Sequence, residues 1–182
     1  MSAAGEPRSN VEVKASCADL DKAREAGRSA GAQYARVEHQ RDTYFRCNDG
    51  RLKLRQIETK SGRRAEMIFY CRADAGGPRL SRYSLKKVRF PNLKRRWLRL
   101  TRGITVEVVK TRELWLWRGV RIHLDRVVDL GDYLELEAVV GDIGDEEEAR
   151  RRCEILVDRL GIKAEDQITT SYSDLISGRR SG

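Results

Sequence analysis

The residues of this chain that could do chemistry alternate with apolar residues along short segments. The clearest of these segments is residues 119–140, GVRIHLDRVVDLGDYLELEAVV. Side chains two apart on a β-strand point to the same face. This segment therefore predicts a hairpin with one apolar face and one polar face, and the polar face carries Arg121, His123, Asp125, Glu135 and Glu137.

The same alternation recurs elsewhere in the chain. Charged residues at i and i+2 occur in five segments: Glu12/Lys14, Lys53/Arg55, Lys110/Arg112, Arg121/His123/Asp125 and Glu135/Glu137. Two arrangements satisfy the pattern. An antiparallel sheet could expose its charged face to water, or the sheet could close into a barrel with the charges inside and helices on the apolar outer face.

Energetics favours the closed arrangement. The apolar faces would be too large to leave in contact with water, because they carry Leu52, Leu54, Phe69, Trp115 and Trp117. Inward-facing charges, in turn, are costly unless they are compensated. The interior of such a barrel would therefore need opposite charges, a ligand, metal ions or water.

The charges on the predicted inward faces indicate phosphate chemistry. The cations are Lys14, Lys53, Arg55, Arg72, Lys110, Arg112 and Arg121, and they outnumber the anions, which are Glu12, Asp125, Glu135 and Glu137. An excess of cations suits a polyanion, whereas carboxylates suit a divalent cation. Lys and Arg on phosphate oxygens, with carboxylates on Mg²⁺ or Mn²⁺, are the groups used for phosphoryl and nucleotidyl transfer.

The length and composition fit one domain. Of the 182 residues, 36% are charged and 40% hydrophobic, which is enough for a packed core. The net charge of +9 predicts an anionic partner, and charge alone does not choose between nucleic acid, a membrane surface and a phosphorylated small molecule. Four cysteines without a CxxC pair indicate a reducing compartment. With no recognisable signal peptide or membrane span, we expect a cytoplasmic protein.

Local signals place the elements that must position these residues. Residues 1–9 are predicted to be disordered, residues 10–177 to form a single domain, and residues 178–182 to be a frayed basic tail. Helices are expected near residues 19–30, 91–100, 145–160 and 172–177, and strands elsewhere. In the second helix, Leu93, Trp97 and Leu100 have helical spacing. We therefore expect Trp97 in the core and the basic residues of that helix in water.

In order and approximate spacing, these motifs resemble the CYTH family, the triphosphate tunnel enzymes that include class IV adenylyl cyclases and thiamine triphosphatases. The motifs are Asn10-Val-Glu12-Val-Lys14, Gly50-Arg-Leu-Lys53-Leu-Arg55, Tyr70-x-Arg72, Lys110-Thr-Arg112-Glu-Leu, Arg121-Ile-His123-Leu-Asp125 and Glu135-Leu-Glu137. The second and fifth motifs most resemble the class IV adenylyl cyclase branch.

The resemblance implies an α+β fold, with a closed eight-stranded antiparallel β-barrel and helices packed on its outside. It also implies Mg²⁺ or Mn²⁺ and a triphosphate substrate such as ATP, tripolyphosphate or thiamine triphosphate. A homodimer is compatible with it, whereas a membrane or nucleic acid is not the expected partner.

The resemblance also assigns roles to residues. Glu12, Glu135 and Glu137 would be metal ligands and, with Asp125, the catalytic set; Asp125 would hold a metal or orient a basic side chain. The phosphates would be held by Lys14, Lys53, Arg55, Arg72, Lys110, Arg112 and Arg121, with Arg82 as a further contact. His123 is a less favoured candidate, because a histidine on such a strand is more often structural.

One position departs from the family pattern. Asn10 stands where the family's Glu-x-Glu-x-Lys strand has its first Glu. The amide oxygen of Asn10 can still bind a hard cation, but it carries no negative charge. Three functions remain open: cyclisation of ATP, hydrolysis of tripolyphosphate or thiamine triphosphate, and binding of a phosphopolyanion or RNA without turnover.

Overall fold

A computed structural model describes residues 8–72 and 79–180, without the side chains of residues 71, 72, 79 and 180. Within these ranges the chain forms eight strands and four α-helices. In chain order they are β1 (Arg8–Ser16), α1 (Leu20–Ser29), β2 (Gln33–Phe45), β3 (Arg51–Thr59), β4 (Gly62–Arg72), β5 (Arg79–Lys87), α2 (Pro91–Arg102), β6 (Ile104–Trp117), β7 (Val120–Val127), β8 (Gly131–Val139), α3 (Glu146–Arg159) and α4 (Tyr172–Arg180). The predicted disordered start lies largely outside the described residues, and β1 already begins at Arg8.

The strands form a closed barrel in the order β1-β5-β4-β3-β2-β6-β7-β8. Every neighbouring pair is antiparallel. Closure leaves no sheet edge exposed, and it turns one face of every strand toward the interior. The predicted eight-stranded antiparallel barrel is therefore confirmed.

Helices α1 and α3 cover the apolar outer face of β1, β6, β7 and β8. Trp115 and Trp117 are buried there together with Cys153 and Leu156 of α3. The Trp117 indole Nε1 donates to the backbone oxygen of Ala30, just after α1, at 2.8 Å. Both helices start where their sequences predict, because Asp19 caps α1 and Asp145 caps α3 through side-chain oxygens that accept backbone N–H groups.

Helix α2 packs on the barrel in a different orientation from the predicted one. Leu98 is its buried residue, at 3% exposure, and it packs with Phe45, Leu54 and Ala65. Trp97, which was predicted to lie in the core, is 53% exposed, and the residues at helical spacing from it are exposed too, Leu93 at 67% and Leu100 at 76%. A bond from the Arg95 guanidinium to Glu107, at 2.7 Å, ties the helix to β6. The prediction that Trp97 lies in the core is wrong.

Helix α4 closes one end of the barrel. Its residues Tyr172 and Ile176 pack against inward-facing side chains of the strands, namely Tyr44, Val106, Val108, Val127 and Tyr133. We call this apolar cluster the plug. The helix continues to Arg180, beyond the predicted boundary at residue 177. None of the described helices is long and apolar enough to cross a membrane.

Candidate active site in the tunnel

The inward faces of all eight strands enclose a cavity of about 490 Å³, which we call the tunnel. The predicted site residues that line it are Glu12, Lys14, Lys53, Arg55, Lys110, Arg112, Arg121, Glu135 and Glu137. Of the two arrangements that satisfy the alternation, the protein therefore adopts the closed barrel, with the charged side chains inside. Along β6 the lining changes from Val106 and Val108 at the plug, through Lys110 and Arg112, to Leu114 and Leu116 at the other end.

Asp42 on β2 anchors the first pair of basic residues. It is 3% exposed and lies opposite Arg55 in the β2–β3 register. Its carboxylate accepts two hydrogen bonds from Arg55, both at 2.7 Å, and one from Lys53 at 2.8 Å. Burial alone would raise the pKa of Asp42, but the charges of Arg55 and Lys53 outweigh it and hold the pKa well below its usual value.

Asp125 on β7 anchors the second pair. It is fully buried and accepts two hydrogen bonds from Arg112, both at 2.6 Å, one from Lys110 at 2.8 Å and one from the Tyr172 hydroxyl at 3.0 Å. Burial opposes its ionisation, yet the charges of Arg112 and Lys110 lower its pKa. Asp125 faces the barrel interior but does not line the cavity, because Arg112, Lys110 and Tyr172 cover it, so the geometry favours its orienting role over its metal-binding and catalytic role.

Lys110 has a lowered pKa. Burial and the neighbouring Arg112 charge together lower its pKa to about 7, although Asp125 acts in the opposite direction. Because Arg112 already binds Asp125 through two nitrogens, that carboxylate compensates Lys110 only in part. Lys110 therefore loses its proton at a lower pH than an exposed lysine does.

The β8 carboxylates are held by basic groups and by His123. Glu135 lies 3.2 Å from Lys14 and 3.6 Å from Arg112, and Glu137 lies 3.2 Å from Arg121. Burial opposes the ionisation of both, but neighbouring groups lower both pKa values, chiefly Lys14 and Arg112 for Glu135, and chiefly His123 and Arg121 for Glu137. The His123 ring is 3.6 Å from Glu135 and 3.8 Å from Glu137. Burial and the charge of Arg112 lower the pKa of His123, against the opposing effect of Glu135 and Glu137.

Two other predicted residues do not join this set. Arg82 is exposed on the outer face of β5, where Ser81 and Tyr83 are the residues that face the tunnel. The predicted phosphate contact at Arg82 is therefore not supported by its position. The side chain of Arg72 lies outside the described part of the chain, although its backbone pairs with Ser81.

The acidic residues fit a divalent cation in chemical type. Glu12 lies opposite Glu137 in the β1–β8 register, and Asn10 donates from Nδ2 to Glu137 at 2.7 Å. The Asn10 Oδ1 atom is buried without a hydrogen-bond partner among the described residues, so one oxygen remains to be satisfied. Within those residues no three His, Cys, Asp or Glu side chains are already grouped as a metal site. A cation would therefore compete with the present contacts of the β8 carboxylates.

The structure also brings together residues that the sequence prediction missed. Glu38, Gln40, Asp42 and Tyr44 follow one another at alternate positions on the inward face of β2. Glu38 binds Arg36 at 2.7 Å and Arg64 at 2.8 Å, and although burial opposes ionisation, these arginines lower its pKa to about 2. The alternation was present in the sequence, but polar residues on both faces of β2 concealed it. Tyr172 was missed because it comes from a helix.

The end of the tunnel farthest from the plug differs in character. We call it the mouth, and its residues are Arg36, Ile57, Arg64, Leu85, Leu114, Leu116 and Arg121. Arginines there are partly exposed, and the aliphatic side chains of three strands face the space between them. The tunnel thus combines a closed, cationic interior with a mouth that offers apolar contacts.

Known proteins match this chain at the level of family and fold. The CYTH domain family model matches residues 8–172. The PH1012 protein of Pyrococcus horikoshii OT3 is 23% identical with a TM-score of 0.77, covering 91% of this chain and 98% of that one. A proposed adenylate cyclase of Vibrio parahaemolyticus is 19% identical with a TM-score of 0.71, covering 92% and 97%.

A more distant structure carries a functional description of its own. A proposed adenylyl cyclase of Hippeastrum, described as having a dominant triphosphatase activity, is 11% identical with a TM-score of 0.63 and covers 96% of each chain. At these identities the likeness establishes the barrel fold. A search of curated proteins found no match.

Proposed function

Because the chain belongs to the CYTH domain family, whose members act on triphosphates, we propose that it converts ATP to cyclic AMP and pyrophosphate with the help of Mg²⁺ or Mn²⁺. The change in polarity along the tunnel carries this proposal. A nucleoside triphosphate has a highly charged end and an apolar aromatic end, and the tunnel has a complementary environment for each.

The interior suits the phosphates. Lys14, Lys53, Arg55, Lys110 and Arg112 all face the space next to the plug, and each is buried or nearly so. Buried cations bind phosphate oxygens more strongly than exposed ones, because less water screens the interaction. The β- and γ-phosphates would therefore lie at this closed end.

The mouth suits the nucleoside. Ile57, Leu85, Leu114 and Leu116 can contact the flat faces of a base, while Arg121 and Arg36 remain near the α-phosphate and the solvent. A substrate without an organic group, such as tripolyphosphate, would leave these apolar side chains without a ligand to contact. The α-phosphate of ATP would then lie at the level of Glu135, Glu137 and His123.

The carboxylates at that level would hold the divalent cation. Glu12, Glu135 and Glu137 supply hard oxygen ligands, and the unsatisfied Asn10 oxygen supplies a neutral one. When bound, the cation neutralises charge on the phosphate oxygens and favours departure of the pyrophosphate group.

The remaining chemistry is the replacement of one bond at the α-phosphorus by another and the transfer of one proton. The ribose 3′-oxygen forms a bond to the α-phosphorus, the bond from that phosphorus to the bridging oxygen breaks, and pyrophosphate leaves. Arg112, Lys110 and Lys14 hold that leaving group in line and balance its charge. The proton of the 3′-hydroxyl passes to a neutral base; His123 faces the tunnel and has a lowered pKa.

A second candidate is hydrolysis of the terminal phosphate by water, and it is favoured by Lys110. This lysine lies near the closed end, where its charged form would balance the negative charge of the terminal phosphate. Both reactions use the same cationic interior. They differ in which phosphorus is attacked.

One assay separates the candidates. The purified protein is incubated with Mg²⁺ or Mn²⁺ and, separately, with ATP, tripolyphosphate and thiamine triphosphate, and the products are resolved by chromatography. Cyclic AMP with pyrophosphate supports the cyclase, whereas orthophosphate with a diphosphate product supports the hydrolase. No product from any substrate, with tripolyphosphate binding retained, would indicate a non-catalytic binding module.

A pair of variants tests the carboxylates. Glu137→Ala should abolish turnover with the fold intact, whereas Glu154→Ala, an exposed carboxylate on α3, should have no effect. Full activity of the Glu137 variant would contradict the metal assignment.

A further inference from the structure

Helix α2 presents an apolar stripe to solvent. Phe90, Leu93, Trp97 and Leu100 recur at spacings of three and four residues, which places them on one side of the helix. All four are exposed. Contiguous exposed aromatic and aliphatic side chains usually mark an interaction surface, and the tunnel function makes no use of this one.

The stripe lies in the most basic part of the chain. Residues 86–102, KKVRFPNLKRRWLRLTR, contain eight Lys and Arg and no Asp or Glu. The eight positive charges of this segment nearly equal the net charge of the whole chain, which is +9. The partner that covers the stripe is therefore expected to be anionic as well as apolar.

The barrel fixes the direction of the stripe. Leu98 packs into the wall, and Arg95 is bound to Glu107 at 2.7 Å and lies 3.4 Å from the Thr43 hydroxyl. With that side of α2 held, the stripe faces away from the barrel. Lys94 and Arg96 are two positions apart, so they lie on opposite sides of the stripe.

A second copy of the chain does not suit this surface. In a two-fold symmetric dimer the same patch meets itself, and two such segments would bring their cations together without any acidic residue of α2 to compensate them. The homodimer compatible with the family resemblance would need another surface.

Nucleic acid is also a poorer fit than lipid. Base stacking needs free aromatic faces, but Lys94 Nζ lies 4.5 Å from the centroid of the Trp97 ring, and the Arg89 guanidinium lies 5.3 Å from that of Phe90. Leu93 and Leu100 offer no face for stacking. Aliphatic side chains and aromatic rings flanked by Lys and Arg are instead the composition of helices that lie in the plane of a lipid interface.

We propose that α2 docks this protein on an anionic lipid surface. Phe90, Leu93, Trp97 and Leu100 enter the headgroup region, and the Lys and Arg residues of segment 86–102 contact the lipid charges. This departs from the sequence-based expectation of no membrane partner. It is independent of the reaction in the tunnel, because no α2 residue lines that cavity.

The test uses the full chain with vesicles of phosphatidylcholine alone or of phosphatidylcholine with phosphatidylserine. We expect co-sedimentation with the anionic vesicles only, weakened at high ionic strength. Of the three tryptophans, Trp115 and Trp117 are buried. Binding should therefore shift the emission of Trp97 to shorter wavelength, and Trp97→Phe should bind without that shift.

Matched variants separate this surface from general charge. Lys94→Glu with Arg96→Glu should weaken vesicle binding roughly tenfold or more. Lys22→Glu with Lys163→Glu makes the same charge change at exposed sites elsewhere and should have a much smaller effect. Both variants should melt cooperatively at temperatures close to that of the wild type, which confirms that both are folded.

Several results would overturn the proposal. These are no vesicle binding, equal binding to neutral vesicles, or equal losses in the two charge-reversal variants. Binding of poly(U) without binding of vesicles would assign the surface to nucleic acid. A dimer that buries Trp97 and persists with the vesicles present would assign it to a second copy.

Discussion

Asp42 and Asp125 occupy equivalent positions on neighbouring parts of the barrel wall. Each lies opposite the arginine of a Lys-x-Arg sequence on the adjacent antiparallel strand, and each accepts hydrogen bonds from both basic residues. The two basic pairs are Lys53 with Arg55 and Lys110 with Arg112. Each carboxylate therefore holds two cations in place before a polyanion binds, which lowers the cost of ordering them on binding.

Asp42→Asn tests this role at a position that the family motifs do not include. The variant keeps the shape but leaves Lys53 and Arg55 without a buried counter-charge. We expect the free energy of unfolding to fall by about 3 kcal/mol, measured by urea denaturation. Tripolyphosphate should recover part of this loss, because it supplies the missing negative charge.

The control for that experiment is Asp158→Asn, an exposed carboxylate on α3. It should change the free energy of unfolding by less than about 0.5 kcal/mol. If Asp42→Asn were equally mild, the carboxylate would not be holding the two cations.

The lowered pKa of Lys110 predicts that substrate binding is coupled to proton uptake. With a pKa of about 7, most Lys110 side chains are neutral at pH 8 in the free protein. A bound polyphosphate favours the charged form and raises that pKa, so binding should take up protons at pH 8 and take up fewer at pH 6, where Lys110 is already charged. Calorimetry of tripolyphosphate binding in buffers of different ionisation enthalpy measures this number.

Lys110→Met is the matched variant for proton uptake. It retains much of the side-chain length without a titratable group, so the uptake at pH 8 should disappear. Uptake that persists unchanged in this variant would have to come from another group, such as His123.

Asn10→Glu restores the carboxylate that the family pattern has at this position. Without metal, the added charge would lie beside Glu137, whose partner on that side is now the Asn10 amide at 2.7 Å. We expect a lower melting temperature in the absence of metal and a larger stabilisation by Mn²⁺ than in the wild type. Asn10→Gln, which changes the length without the charge, is the control. Equal Mn²⁺ effects in both variants would remove position 10 from the metal site.

Truncating Leu98 should destabilise the protein more than truncating Trp97, although Trp97 has the larger side chain. Leu98→Ala leaves a cavity between α2 and the barrel and should cost about 2 to 5 kcal/mol of unfolding free energy. Trp97→Ala removes a larger side chain from an exposed position and should cost under about 0.5 kcal/mol. Denaturant unfolding of both variants measures the difference, and the reverse order would mean that α2 packs through the stripe.

Sequence patterns identified the tunnel-facing side chains well on strands with one apolar face. On β3, Lys53 and Arg55 alternate with Leu52 and Leu54, so only one assignment of faces was reasonable. On β2 both faces carry polar residues, so the inward set that includes Asp42 could not be distinguished. On β5, the residues on either side of Arg82 do not alternate between charged and apolar, so its face could not be inferred from the sequence.

The sequence by itself determined the elements, the alternation of charged and apolar faces and the order of the family motifs. These are local properties, because a period of two residues defines the faces of a strand and a capping aspartate defines the start of a helix. Only the tertiary structure decided which carboxylates hold which cations, because Asp125 meets Tyr172 across 47 positions of the chain. It also decided that α4 closes the tunnel and that α2 packs through Leu98, since both depend on how distant elements fit together around the barrel.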